Sequence, residues 1–533
     1  MASTECSVKM DRTMNTPVLD RLIMSSKPSR LMQQWIHEFI LTIKQLHPQF
    51  IALHLQEVGG KTYEQSSHYV KEFVKSLCEA YEMQEFSIVR IYLDENFNSQ
   101  EQFTALGNLY FGHKTIPNSR LWNFTNSSWE TTQGKNCYFG NIENVPTKEK
   151  SKFPLDFFPE CKWSRKGFMR TRWDINGTIL DFVNMHLFHD ASNLTALIDF
   201  PSVYSQRRRK ALIHTLQRFD IDKNNEIVPY FLFGDFNFRS DSAGVTKTLT
   251  RNLTAHRLVT LNVNNLKEQY RDEDGKNILT IGKKEYHHID HQNIFRGEWL
   301  KQYDRDLEIC KGILFEYDIS FPPSYPYEEK PDLPTRYLTT RCPSWCDRVL
   351  MSPQINEITI GRNISYNLIG DNICMGDHKP VYLNIQIKSN QGFVKPTVSV
   401  RKCLHHISNN LGSNDRKFLK YRDKSEPTYQ FIKLNKTLNI TSQSIVKPTV
   451  SVRKCLHHIS NNLGSNDRNF LQYRDKSKPN YQFIKLNKTL NITSQSNLDT
   501  GFFTYNMNEY LGIHSWINFI SEHAFTILRE TLL

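Results

Sequence analysis

Between residues 31 and 381 the apolar positions switch between two rhythms. In "LMQQWIHEFILTIKQLH" (31–47) they recur at helical spacing, and "FIALHLQE" (50–57) follows as a buried strand. The pattern predicts a second helix near 62–80, strands within 86–93 and 103–112, and a strand pair in "GFMRTRWDI" and "TILDFVNMHL". "VYSQRRRKALIHTLQRF" reads as a helix whose Arg207–Lys210 run is a basic, solvated face. Tyr230–Phe233 has no polar residue and fits a strand buried on both faces. A loop-rich and helical stretch, then "DRVLMS" and "PVYLNIQI" (380–387), complete a body of α/β class. It is expected to be a layered β-sandwich with helices outside the sheets, over residues 31–390.

Beyond 390 the rhythm is lost. Residues 394–444 return as 446–496 with four substitutions. Two copies are too few for a solenoid, and their Asn-, Ser- and Lys-rich composition predicts a largely disordered tail. Residues 497–533 include "YLGIHSWINFISEHAFTILRETLL", apolar enough for an amphipathic helix, either marginally packed or docked on a partner or membrane surface.

Charge changes this picture at one point. The chain carries a formal +12, but the two repeats hold the surplus and leave the folded body near neutral. A nucleic-acid partner, which calls for a basic body, is not expected. No stretch approaches the roughly 18 apolar residues of a membrane span, and the first 30 residues lack the apolar core of a signal peptide. The expectation is a soluble, cytoplasmic chain whose basic tail contributes at most weak, peripheral contact with an anionic membrane such as the plasma membrane. The 10 cysteines lack framework spacing and are read as free thiols.

Candidate chemistry gathers at strand ends. "LQEVGG" (Gln56, Glu57), "NMHLFHD" (Asn184, His186), "GDFNFR" (Asp235, Asn237), "PSWCDRVLMS" (Trp345, Asp347, Arg348) and "MGDHKPV" (Asp377, His378) each set acid, amide or imidazole groups beside an apolar run. One such placement is an ordinary turn. Five in one body point to a convergent polar site, and carboxylates with two histidines but no Ser or Cys nucleophile motif favour metal-assisted hydrolysis.

"FGDFNFR", "PSWCDRVLMS" and "GDHKPV" resemble the signature of the inositol polyphosphate 5-phosphatases, within the superfamily of deoxyribonuclease I and exonuclease III. "FPECKWSRKGF", "NMHLFHDASN" and "ISFPPSYPY" are similar to its type I branch, and the resemblance spans about 31–387. It implies the deoxyribonuclease I-like fold and a Mg²⁺-dependent enzyme. That enzyme would hydrolyse the 5-phosphate of the soluble inositol 1,4,5-trisphosphate and 1,3,4,5-tetrakisphosphate, ending Ca²⁺-release signalling. By the same resemblance Glu57 holds Mg²⁺, Asp235 activates the attacking water, and Asn237 orients water or phosphate. His378, with Asp347 fixing its tautomer, donates to the phosphate. Asp377 lies near metal and water, while Asn184 and His186 contact the phosphate from the opposite side. Lys166, Tyr325, Arg341, Arg348 and Lys379 are the candidate substrate-binding groups. Where membrane-lipid members resemble one another in "TYK", this chain has Ser324-Tyr325-Pro326, which agrees with the type I branch.

Two departures remain. The family opens with a buried strand ending in T-x-N, and no strand-like run occurs in residues 1–30, so Asn15 receives no role. This motivates an alternative, a catalytically impaired pseudophosphatase that binds inositol phosphates. The type I branch ends in a prenylated Cys box shortly after its last strand, whereas this chain passes Cys403 and ends in "RETLL".

Overall fold

The computed structural model describes residues 11–13, 28–58, 63–160, 164–222, 225–258 and 266–394, with short pieces between 432 and 512. Two compact units divide the chain, Met1–Phe418 and Leu419–Leu533.

In the first unit, two sheets of seven strands face each other. One is ordered Thr359–Leu368, Val381–Ile387, Asp11–Thr13, Phe50–Gln56, Gly107–Gly112, Ile88–Leu93 and Lys135–Tyr138. The other runs Asp347–Met351, Tyr230–Asp235, Thr178–His186, Gly167–Ile175, Ser119–Asn123 and Ser128–Thr131, with Glu149–Lys152 also paired to Gly167–Ile175. The predicted sandwich is therefore present, and the period-2 alternation of a strand explains its layers. Phe50, Ala52 and His54 face the opposite sheet, where Phe50 lies 5.6 Å from Phe182 and His54 stacks on Phe233 at 3.7 Å. Ile51, Leu53 and Leu55 turn the other way and pack with Trp35 and Phe39 of the helix Pro28–Leu46 and Phe73 of the helix Tyr63–Glu79.

Two expectations are corrected. Residues 1–30 do contain a strand: Asp11–Thr13 sits in the middle of the first sheet, parallel to Phe50–Gln56 and antiparallel to Val381–Ile387. Its sequence, "DRT", carries no apolar run, so the pattern could not disclose it. A central slot supplies hydrogen-bond partners on both sides whatever the side chains are. Thr13 pairs with Gln56, and Thr13-Met14-Asn15 has the T-x-N spacing; Asn15 itself lies outside the described residues. The second correction concerns the helix Val203–Ile221. Its basic run is not a solvated face, because Arg208 is buried between Asp190 and Asp306 and Arg209 donates to the carbonyls of Arg305 and Asp306. Arg207 and Lys210 pair with Glu160 and Asp156.

Gly234, the penultimate residue of the Tyr230–Asp235 strand, has φ 155°, and a Cβ there would collide with the Met185 carbonyl oxygen. Gly234→Ala is expected to cost about 1–3 kcal/mol by overpacking, read from urea unfolding against the parent.

A smaller sheet, Thr254–Leu258, Lys267–Arg271, Asn277–Gly282 and Glu285–His288, forms an antiparallel meander. In the second unit the described pieces are three two-stranded ladders: Ile432–Asn435 with Ile440–Ser442, Phe483–Ile484 with Leu511–Gly512, and Leu490–Ile492 with Phe503–Tyr505. Leu511–Gly512 is thus extended where an amphipathic helix is predicted; the rest of that stretch, and most of the two repeats expected to be disordered, lie outside the described residues. No helix among the described residues is long and apolar enough to cross a membrane.

Candidate active site

Strand register assembles the site. His186 is opposite Asp235 on parallel neighbours, and Asp235 is opposite Asp347 on antiparallel ones. Three motifs far apart in sequence therefore end side by side on one sheet edge. Gln56 and Glu57 come from the facing sheet. Glu57 (φ 54°) and Asn237 (φ 50°) both occupy the left-handed region, which a non-glycine residue holds at a cost and which clusters at functional sites.

On one side of this edge, His186 Nε2 lies 3.3 Å from Asp235 Oδ2 and 3.8 Å from Glu57 Oε1. Lys166 Nζ contacts His186 Nε2 and stands 3.5 Å from Glu57 Oε1. Asn237 donates to both Asp235 oxygens, from its backbone N–H and from Nδ2, at 2.7 Å each. On the other side, His378 Nδ1 meets Asp347 Oδ2 at 2.8 Å, and Ser324 Oγ donates to the same oxygen at 2.7 Å. The Tyr325 ring lies 4.4 Å from the His378 ring.

Electrostatics separate these groups into roles. Burial alone pushes the Asp235 carboxyl up, but His378, His186 and Lys166 outweigh it and hold the group well below the usual carboxylate range. Burial likewise opposes ionisation of Glu57, and Lys166, His186 and Arg165 hold it down at about 2. Burial pushes His378 toward the neutral form, yet Asp347 and Asp235 raise it to about 10, so the imidazole is cationic at neutral pH. His186 is the converse: burial and Lys166 lower it and keep it neutral at pH 7. Burial pushes Asp377 up to about 7, against the pull of His378. The arrangement therefore offers an ionised carboxylate between a neutral and a charged imidazole, which suits proton removal from water next to stabilisation of a developing anion.

Glu57, Lys166, His186, Asp235, Asn237, Asp347, His378, Asp377, Tyr325 and Arg341 fall within this constellation, linked by the contacts above and by mutual electrostatic influence. Three expected substrate ligands do not. Asn184 is fully buried between the sheets; its Nδ2 donates to Leu55 O, Gly107 O and Asn108 Oδ1 and its Oδ1 accepts from Gln56 Nε2. It ties the sheets together beneath the site. Arg348 turns to the opposite strand face from Asp347 and is closed by Glu316 and Asp304. Lys379 donates to the carbonyls of Gly370, Asp371 and Ile373 and is 1% exposed. Sequence reasoning missed Ser324, which carried no signal in "PPSYPY", and Arg239, whose two-residue spacing from Asn237 was the available clue.

Among the described residues, the atoms of Asp235, Asp347 and His378 lie within 4.8 Å of one another, but the charged His378 already supplies the cation there. The Glu57 side fits a hard divalent ion better. Glu57 is held ionised, and the buried Gln56 Oε1 beside it and Asp377 Oδ1 have no hydrogen-bond partner, leaving oxygen donors to spare.

Comparison with known proteins agrees with this architecture. Residues 141–384 match the model of the endonuclease/exonuclease/phosphatase family 2. The human inositol polyphosphate-5-phosphatase A is 46% identical over 387 residues, covering 70% of this chain and 93% of that protein. The chain belongs to the inositol polyphosphate 5-phosphatase family. It is accordingly a phosphatase with the deoxyribonuclease I-like fold, in a superfamily that generally works with a divalent metal. A probable type I inositol 1,4,5-trisphosphate 5-phosphatase of Caenorhabditis elegans is 34% identical, over 67% of this chain and 96% of its own length. Among solved structures, the 5-phosphatase domain of SpSynaptojanin, in complex with inositol (1,4)-bisphosphate and calcium, matches at 14% identity and a TM-score of 0.37, over 78% of this chain and 94% of that one. The first strand that the pseudophosphatase reading held to be missing is in place.

Proposed function

We propose that this 5-phosphatase is Mg²⁺-dependent and removes the 5-phosphate of inositol 1,4,5-trisphosphate and of the 1,3,4,5-tetrakisphosphate, ending a Ca²⁺-release signal. The observation that carries this reading is the buried Asp235 carboxylate, 3.3 Å from His186 Nε2 on one side and with the His378–Asp347 pair within 4.8 Å on the other. Glu57 would hold the ion, with Asp377 close by, and the ion when bound would neutralise the scissile phosphate and its leaving oxygen.

The remaining work falls to the chain's own groups. Asp235 takes the proton of the attacking water, and Asn237 holds Asp235 in place through its two N–H bonds. His378, cationic and steadied by Asp347, donates to a non-bridging phosphate oxygen. His186 and Lys166 line the opposite side. Arg341, which donates to the carbonyls of Thr340 and Asp190, and Tyr325 face the phosphates that stay on the ring. The chain acts in the cytoplasm on soluble substrates, and its basic tail adds about 1 kcal/mol per residue only where it nears an anionic membrane.

Phosphate release from inositol 1,4,5-trisphosphate by the full chain, with Mg²⁺ and with chelator, tests the proposal. Metal-dependent release is expected. Tight substrate binding without release would establish the impaired binder instead, and cleavage of plasmid DNA with no release from either inositol phosphate would make the chain a nuclease.

A further inference from the structure

One buried cation outside the groups assigned so far touches two of them. Arg239, 7% exposed, donates from Nη2 to Asn237 Oδ1 at 2.7 Å and from Nη1 to Cys346 Sγ at 3.2 Å. Its guanidinium lies 4.2 Å from the centre of the Tyr325 ring, the ring that also lies against His378. Its backbone N–H donates to Asp306 Oδ2, the oxygen that pairs with Arg208, so the base of the loop is anchored in a buried ion pair.

The Asn237 amide is satisfied in one orientation only. Its Nδ2 donates to Asp235 Oδ2 at 2.7 Å and to Leu187 O at 3.1 Å, while its oxygen accepts from Arg239. An amide has one acceptor end and one donor end. Turned over, it would set oxygen against the Asp235 carboxylate and N–H against the guanidinium, losing both bonds and adding two repulsions. A guanidinium cannot give up its charge in the working pH range, so it enforces this choice throughout.

We propose that Arg239 is a positioning residue of the phosphatase reaction: it fixes the Asn237 amide so that the N–H faces Asp235, and it seats Tyr325 against His378. The inference rests on the phosphatase reading above. Arg239 thereby joins the base side of the site to the imidazolium side without touching substrate. The lysine variant keeps the charge but loses the planar fork that serves Asn237, Cys346 and Tyr325 together.

The test is a double-mutant cycle on the full chain with Mg²⁺ and inositol 1,4,5-trisphosphate: parent, R239K, N237A and N237A/R239K. R239K is expected to lower kcat by about 10–100-fold with KM within about threefold of the parent. In the N237A background the same change should alter kcat by less than about threefold, since a group acting through Asn237 has nothing left to act on. Effects of R239K and N237A that multiply, or a rise in KM with kcat intact, would each overturn the role. Should R239K not fold by circular dichroism, R239Q, which keeps an N–H donor, takes its place in the cycle. Loss of the fold in both makes Arg239 a folding residue and ends the proposal. A silent parent would remove the phosphatase reading itself, whereas an active parent with multiplying effects removes only this role.

Discussion

Asp235→Asn is expected to lower kcat for phosphate release by about 10²–10⁴-fold, the usual worth of a positioned general base, while substrate affinity stays equal or tightens. The substitution is nearly isosteric, and Asp235 is 4% exposed at the end of a strand paired on both sides. An amide oxygen there can still accept one of the two Asn237 N–H bonds, and the other is lost to an N–H that faces it. What disappears is a negative charge beside His378, His186 and Lys166. That charge repels a polyanionic substrate in the ground state and accepts a proton only as the water attacks, so its removal weakens the transition state and not the bound complex. Calorimetric titration of the variant with inositol 1,4,5-trisphosphate and Mg²⁺, set beside its kcat, decides the matter. Binding that collapses in step with turnover would make Asp235 a ligand of the metal.

How much of this could be read from the sequence depends on which face of a strand a residue takes. The apolar runs Phe50–Leu55 and Tyr230–Phe233 disclosed buried strands, and the polar residues directly after them, Glu57, Asp235 and Asn237, stand at the sheet edge where they were expected. The errors come one or two residues away. Arg348 and Lys379 each follow a site residue; strand alternation sends Arg348 to the other face, and Lys379, just before the strand Val381–Ile387, turns to the carbonyls of Gly370, Asp371 and Ile373. Asn184 shares a face with His186 but sits two positions earlier, about 7 Å deeper between the sheets, where only backbone carbonyls and amides await it. The three-residue strand Asp11–Thr13 escaped for another reason: a slot with partners on both sides needs no hydrophobic pattern to be filled. Arg208 and Arg209 show the same limit for helices, since a basic run reads as solvated unless the carboxylate that buries it, here Asp306, is known.

Arg348→Met puts a number on the difference between the two readings of that arginine. Read from the sequence, Arg348 binds a substrate phosphate, and its loss should raise KM with the fold intact. Read from the structure, it is 3% exposed and closes on Glu316 at 2.5 and 2.7 Å and on Asp304 at 2.8 Å, while the Tyr366 hydroxyl donates to Glu316 and accepts from Val349 N–H. Removing the cation strands two buried carboxylates, and breaking a buried pair in this way costs about 3–5 kcal/mol. The pH dependence follows from Asp304. Burial and the neighbouring Glu316 already push it up to about 6 against the pull of Arg348, and without Arg348 it must rise further. A carboxyl whose folded pKa exceeds its unfolded one is harmless in acid and destabilising as pH rises from the unfolded value through the folded one. Because Asp304 of the parent is itself raised to about 6, the deficit of the variant, measured by urea unfolding, should be small up to about pH 6 and grow as the pH rises above it, and the folded fraction should retain the parental KM. A stable variant with a raised KM would return Arg348 to the substrate.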